Sequence, residues 1–299
     1  MKITYRDVED IGELVHVYNE QTASVPHCYP ISREEFEIGL LDPRNDRHCK
    51  EAHSERIIAA EEDGRITGFA HIAIGRVEFS DRKQVGGLLH FLTYESGHRA
   101  AGQALLEACE KHTFDSGASQ VWAFQNGCNY RFYHLDFGNV SDHMGHVYAL
   151  FHMNGYKVNE GEIFMEQPDY SIIEPVLPDH QVEIVVEQKP GRGVLPGLLV
   201  QAFRDGEEVG SCESGSCGDC CKTGEVQDWF FVHWLGVDRH DQGKGWGRYL
   251  LQRTLWEMRK IGYKNAIIST DITNPRALLF YTNYGYRVSD TVYGLVKHL

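Results

Sequence analysis

Apolar and polar positions run through the same order twice along the chain. In the first half, Ile57-Ile58-Ala59-Ala60 leads through Asp63-Gly64 to Ile66-Thr67-Gly68-Phe69-Ala70. In the second, Leu199-Val200-Gln201-Ala202-Phe203 leads through Asp205-Gly206 to Glu208-Val209-Gly210. Each pattern predicts two strands joined by a two-residue turn, because Asp-Gly supplies the positive φ such hairpins require. An apolar strand follows each hairpin, at Gly87 to Leu92 and at Trp229 to Val237. A glycine-bearing turn and a segment of helical period come next. Leu250, Leu251, Thr254, Leu255, Met258 and Ile261 share one helical face; Leu105, Ala108, Cys109 and His112 make a weaker one. Another strand follows (Gln120 to Phe124, Asn265 to Thr270), then a short helix. Asn154-Gly155-Tyr156 or Tyr284-Gly285-Tyr286 precedes a last strand. Gly68 and Gly102 are 34 residues apart, Gly210 and Gly245 35.

A matched order of elements is the mark of an internal repeat, and 299 residues is ample for two domains. The expected division is a first domain at 1–167, a linker at 168–181 and a second domain at 182–299. Pro168, Pro175 and Pro178 mark the linker, and Ile172 and Ile173 imply that it is packed. The halves begin differently. In the first, Asp7 is a candidate N-cap for a helix bearing Val8, Ile11, Leu14, Val15 and Tyr18. Ser32-Arg33-Glu34-Glu35 is a capping box for another. The second half offers only a strand from Val182 to Val186, then Gly191, Gly193, Pro196 and Gly197, with no room for two helices.

Composition narrows the function classes. Hydrophobic residues make up 42% of the chain, enough for two cores, but no stretch approaches the roughly 18 apolar residues of a membrane helix. A net charge of -14 argues against a nucleic-acid partner. Met1 to Asp7 has no apolar signal core, so the cytoplasm is the expected location and no membrane partner is expected.

The chemistry concentrates in Gln242-Gly243-Lys244-Gly245-Trp246-Gly247, between a strand and a helix. Unpaired N–H groups and the dipole at a helix start favour an anion, and glycines admit it without a Cβ clash. Lys244, with Arg239 or Arg248, adds charge. This region resembles the GNAT superfamily of acyl-CoA-dependent N-acyltransferases. Gln242-x-x-Gly245-x-Gly247 fits the family signature Gln/Arg-x-x-Gly-x-Gly/Ala, and Asn274 and Tyr281 stand at the family's downstream positions. The resemblance is close from Leu198 to Leu299 and holds only in outline before that. It implies an α/β fold of two tandem GNAT-like domains, each a mixed, mostly antiparallel twisted sheet flanked by helices.

The same resemblance implies the roles. Main-chain amides of Gln242, Gly243, Lys244, Gly245, Trp246 and Gly247 would hold the CoA pyrophosphate. Leu235, Gly236 and Val237, on a splayed strand end, would pair with the pantetheine arm. Asn274 would touch that arm or orient the next helix. Tyr281 would protonate the departing thiolate, a role suited to a phenol that is neutral at pH 7. His233 and Asp228 are the candidate bases for the incoming amine. Acetyl-CoA is the expected acyl donor and a small-molecule primary amine the acceptor, joined in a ternary complex.

Arg99-x-x-Gly102-x-Ala104 fits the signature loosely. Aligning Gly155 with Gly285 sets Phe151 against Tyr281 and Met144 against Asn274. The first half is therefore read as a degenerate, supporting copy; it or a second subunit would supply the acceptor wall that the second half lacks. Cys28, Cys49, Cys109 and Cys128 are scattered and read as small core residues. Cys212, Cys217, Cys220 and Cys221 are crowded. No metal is expected there, because adjacent cysteines do not easily face one ion, but a zinc or redox role stays open as an alternative. A non-catalytic acyl-CoA sensor is the other alternative, and self-association is left open.

Overall fold

The computed structural model describes residues 3–40, 49–77, 84–127 and 130–299. Cys128 lies outside them, as does the Cys49 side chain; Cys109 is buried and Cys28 half-buried. Contacts divide the chain into two compact units, Met1–Glu162 with Asp290–Leu299, and Ile163–Ser289. The last ten residues thus belong with the first unit, and the proline-bearing segment lies inside the second.

The first unit opens with β1 (Ile3–Asp7), α1 (Val15–Thr22) and α2 (Arg33–Leu40). Asp7 ends the strand and pairs with Arg56, so it caps nothing. The cap is Asp10, whose carboxylate accepts from the Gly12 N–H at the 3-10 turn leading into α1. Ser32 and Glu35 do form the reciprocal capping box, Glu35 N–H to Ser32 Oγ at 3.1 Å and Ser32 N–H to Glu35 Oε2 at 3.3 Å. Next come β2 (Cys49–Glu62), β3 (Arg65–Val77), β4 (Gln84–Tyr94), α3 (Arg99–Asp115), β5 (Gln120–Ala123), β6 (Val140–Ser141), α4 (Gly145–Met153) and the start of β7 (Lys157–Gln167), which passes into the second unit at Ile163. The strands order β1-β2-β3-β4-β5, antiparallel except for the parallel β4–β5 pair. Tyr18 and Phe36 from the two early helices pack on Phe91 and Phe69 of the sheet.

The second unit holds β8 (Glu183–Lys189), β9 (Gly197–Arg204), β10 (Glu207–Ser216), β11 (Trp229–Val237), α5 (Trp246–Ile261), β12 (Asn265–Asp271), α6 (Pro275–Asn283) and the start of β13 (Arg287–His298). The order β12-β11-β10-β9-β8 is antiparallel except for β11–β12. No helix lies between β8 and β9, as the short spacing predicts. The remainder of β13 pairs with β5 and β6 of the first unit. Ile172 and Ile173 are exposed. Tyr170 anchors that segment instead, its hydroxyl donating to Leu255 O at 3.1 Å and its ring under the Arg259 guanidinium.

The repeat has a physical basis. Both hairpins turn at Asp-Gly with positive φ at each residue: Asp63 51°, Gly64 79°; Asp205 52°, Gly206 84°. Gly68 and Gly210 each leave no space for a side chain. A Cβ would lie 2.5 Å from Thr93 O in one and 2.6 Å from Gly236 O in the other. Each sits opposite the end of the next strand, Tyr94 or Val237. No helix among the described residues is long and apolar enough to cross a membrane.

Candidate functional site

β11 is where the second unit opens. It pairs with β12 from Trp229↔Asn265 to Val232↔Ile268 and then runs on to Val237 without β12 pairs. Opposite β10, Ser214 pairs with Val232 but Glu213 with Trp234, so His233 is the extra residue of a β-bulge. A bulge bends its strand and ends regular pairing. Beyond it the β12-side main chain of Leu235, Gly236 and Val237 forms an open edge.

The glycine turn meets that edge. Asp238 folds it, accepting from the His240 N–H at 2.8 Å, and the Gln242 amide reaches back to Val237 O at 3.1 Å. Gly243 (φ 79°) and Gly245 (φ 95°) occupy the left-handed region, where other residues are strained. Gly245 is the N-cap of α5 and offers no side-chain cap. The first bond of the helix is donated by Tyr249 to Gly245 O. The N–H groups of Trp246, Gly247 and Arg248 therefore point out of the helix end.

Turn, edge and α6 enclose a cavity of about 790 Å³, within the range of small-molecule sites. Leu235, Val237, Gln242, Gly243, Gly245, Gly247, Asn274 and Tyr281 line it. Asn274 caps α6, its Oδ1 accepting from the Ala277 N–H at 3.1 Å, with Pro275 first in the helix. Tyr281 is 7% exposed, held between Phe280 and Tyr286. The sequence pattern missed Arg276, Phe280 and Tyr284 of the lining. Arg248 also lines the cavity, bonded to the Tyr284 hydroxyl.

The remaining candidates lie elsewhere. The Trp246 side chain is 1% exposed, in the core, so only its main chain faces the turn. Lys244 Nζ pairs with Asp241 at 3.0 Å, beside Arg204. These two cations, Arg204 first, hold the Asp241 carboxyl below its usual range. Gly236 and His233 are not among the lining residues; His233 covers Gly215, two strand positions from Leu235. Asp228 precedes the far end of β11. Its carboxylate accepts from the Asn265 amide at 3.0 Å and pairs with Lys264 at 3.2 Å. That places it roughly 30 Å along the strand from Val237.

Cys212 stands apart from the other three crowded cysteines. Cys212 lies within β10, five residues before Cys217, roughly 16 Å along an extended strand. Burial pushes its thiol up to about 12. Cys217 is also buried, and Cys221 Sγ contacts the Thr223 hydroxyl at 3.1 Å.

In the first unit the equivalent region is built differently. Its sheet repeats the bulge at His90, between pairs Ile72↔Leu89 and His71↔Phe91. But four residues separate β4 from α3, whereas eight separate β11 from α5. Arg99 to Ala104 is thus the first turn and a half of a helix, not a phosphate turn. The alanines there favour it, and Gly102 is required because the Tyr94 ring lies 2.5 Å from where a Cβ would stand. Tyr94, opposite Gly68 as Val237 is opposite Gly210, donates its hydroxyl to His146 O at 2.8 Å. His146 Nε2 in turn lies 2.8 Å from Tyr94 O. His146 is the second residue of α4, as Arg276 is of α6. The carboxylates of Glu62 and Glu95 flank His98 at the start of α3.

An open strand edge, a left-handed glycine turn capping a long helix and a buried tyrosine thus meet at one cavity. Residues 197–288 match the model of the acetyltransferase (GNAT) domain and residues 17–138 that of the acetyltransferase (GNAT) family. The chain belongs to the GNAT family and carries two such domains. Its fold is that of a tandem GNAT protein from the clavulanic acid biosynthesis pathway (TM-score 0.68, 11% identity, 99% of this chain and 98% of that one). It is also similar to a GCN5-related N-acetyltransferase from Sphaerobacter thermophilus (TM-score 0.61, 15% identity, 99% and 95%). No curated protein matches the chain.

Proposed function

We propose that the second unit is an acyl-CoA-dependent N-acyltransferase that passes acetyl from acetyl-CoA to a primary amine of a small molecule, in the cytoplasm. One observation carries this: the unpaired edge of β11, the outward amides of the glycine turn and Tyr281 line a single cavity. In this scheme the turn holds the pyrophosphate and the edge pairs with the pantetheine amides. The amine attacks the thioester carbon, the C–S bond breaks, and Tyr281 gives its proton to the departing sulfur. His233, at the bulge two residues from Leu235, serves as base for the amine proton; Asp228 is bound to Asn265 and Lys264 at the other end of the strand. The first unit has a supporting role.

The test is release of free thiol from acetyl-CoA in the presence of an amine panel. Tyr281→Phe keeps the buried ring and removes the proton, so kcat should fall roughly 100- to 10,000-fold with CoA affinity intact. Binding of acetyl-CoA without thiol release across the panel would make the chain a sensor instead.

A further inference from the structure

The first unit holds a side-chain cluster that the acyl-transfer scheme leaves unused. Asp142 and His143 open the 3-10 turn Asp142–Met144 after β6, and Asp290 begins the part of β13 that belongs with this unit. One ligand atom from each, two carboxylate oxygens and an imidazole nitrogen, lie within 4.8 Å of one another. That spacing suits one cation about 2.0–2.2 Å from each, after a small rotation of the exposed Asp142 and His143.

The state of Asp290 points the same way independently. Its side chain is 0% exposed. Oδ2 accepts from the Ser141 hydroxyl at 2.6 Å and lies 2.8 Å from His134 Nε2. Oδ1 has no hydrogen-bond donor. A buried carboxylate oxygen is unfavourable unless a proton or a cation serves it. The bonds from Ser141 and His134 also fix Asp290 in the way ligating carboxylates are usually held.

We propose that Asp142, His143 and Asp290 form a divalent-cation site for Mn²⁺ or Zn²⁺, completed by water, that ties the last strand segment to the turn after β6. The mixed oxygen and imidazole donors suit these ions. The site is independent of the acyl-transfer reading.

The full chain, stripped with chelator, is titrated with Mn²⁺ followed by electron paramagnetic resonance. Thiolates hold Mn²⁺ poorly, which separates this site from the cysteines. One saturable equivalent is expected, with a Tm rise of roughly 5–10 °C at 100-fold excess over Kd. Asp142→Asn and His143→Ala, both surface changes, should each weaken binding at least about 10-fold. Absence of saturable binding into the millimolar range overturns the site, as does binding unchanged in both variants. A proton shared by the two aspartates is the rival. It leaves the unmodified chain indifferent to Mn²⁺ and Asp142→Asn, which keeps a donor, at an unchanged Tm; that pattern also overturns the site.

Discussion

Gly247→Ala separates the fold from cofactor binding. Gly247 is the second residue of α5, with φ outside the left-handed region, so alanine meets no backbone strain. A Cβ there would lie 3.9 Å from both Phe280 Cζ and Val237 Cγ2, ordinary van der Waals contact. In a helix, alanine is favoured over glycine by roughly 0.5–1 kcal/mol, so Tm should hold or rise by about 2–4 °C. The methyl would stand between Val237 and Phe280 at the wall of the cavity, where an anion must approach the amides closely. Losing one hydrogen bond to a charged group costs about 1.5–3 kcal/mol, hence roughly 10- to 150-fold in Kd. Titration calorimetry with acetyl-CoA, paired with thermal melting, reads both quantities. A Kd within a factor of about two of the unmodified chain, with Tm intact, would refute the claim that this turn holds the cofactor. Gly245→Ala is the contrast. At φ 95° it should cost about 1–2 kcal/mol of stability and binding as well.

Calorimetry on the full chain should give one acetyl-CoA per chain, because Tyr94 and His146 occupy the corresponding edge of the first unit; two equivalents would show that this bridge does not close it. Asp241 gives a pH test. Its folded carboxyl is held below the ordinary value of 3.8, so its contribution is complete above that value and is lost as pH falls through the lower folded one. Asp241→Asn should therefore melt below the unmodified chain at neutral pH, and the two should converge in strong acid. A gap that persists unchanged to low pH would show that charge pairing with Arg204 and Lys244 is not its source.

Much of the fold was legible because its repeating points demand particular residue types. Asp-Gly at 63–64 and 205–206 marks turns that need positive φ, and Gly68 and Gly210 mark contacts with no space for a Cβ. Gly245 and Asn274 were legible at the site for similar reasons, one left-handed and one a helix cap. The bulge was not, because any residue can be the extra one; only the pairing of Gly68 with Tyr94 and of Gly210 with Val237 sets His90 and His233 at matching places, each four residues before its strand end. Arg276, Phe280 and Tyr284 were hidden because they reach the cavity from a helix face whose direction depends on how α6 packs. The anchoring of the proline-bearing segment was misplaced onto two isoleucines, since apolar character does not show whether a neighbour waits to cover it. Tyr170 had that neighbour in Arg259.

Gly102 shows how the same letter can serve different causes. Its distance from Gly68 matches that of Gly245 from Gly210 to within one residue, and on spacing alone both belong to phosphate turns. In the structure Gly245 is glycine for its φ, and Gly102 is glycine because an aromatic ring lies against it. That ring is Tyr94, at the strand position that Val237 holds in the other copy. A larger side chain stands there, the helix reaches back by about one turn, and His146 holds the place of Arg276. Phe151, fully buried where the other copy has Tyr281, keeps the ring and has no hydroxyl. Each difference preserves packing. The sheet and its bulge are therefore common to both copies, while the residues at the strand end and helix start differ.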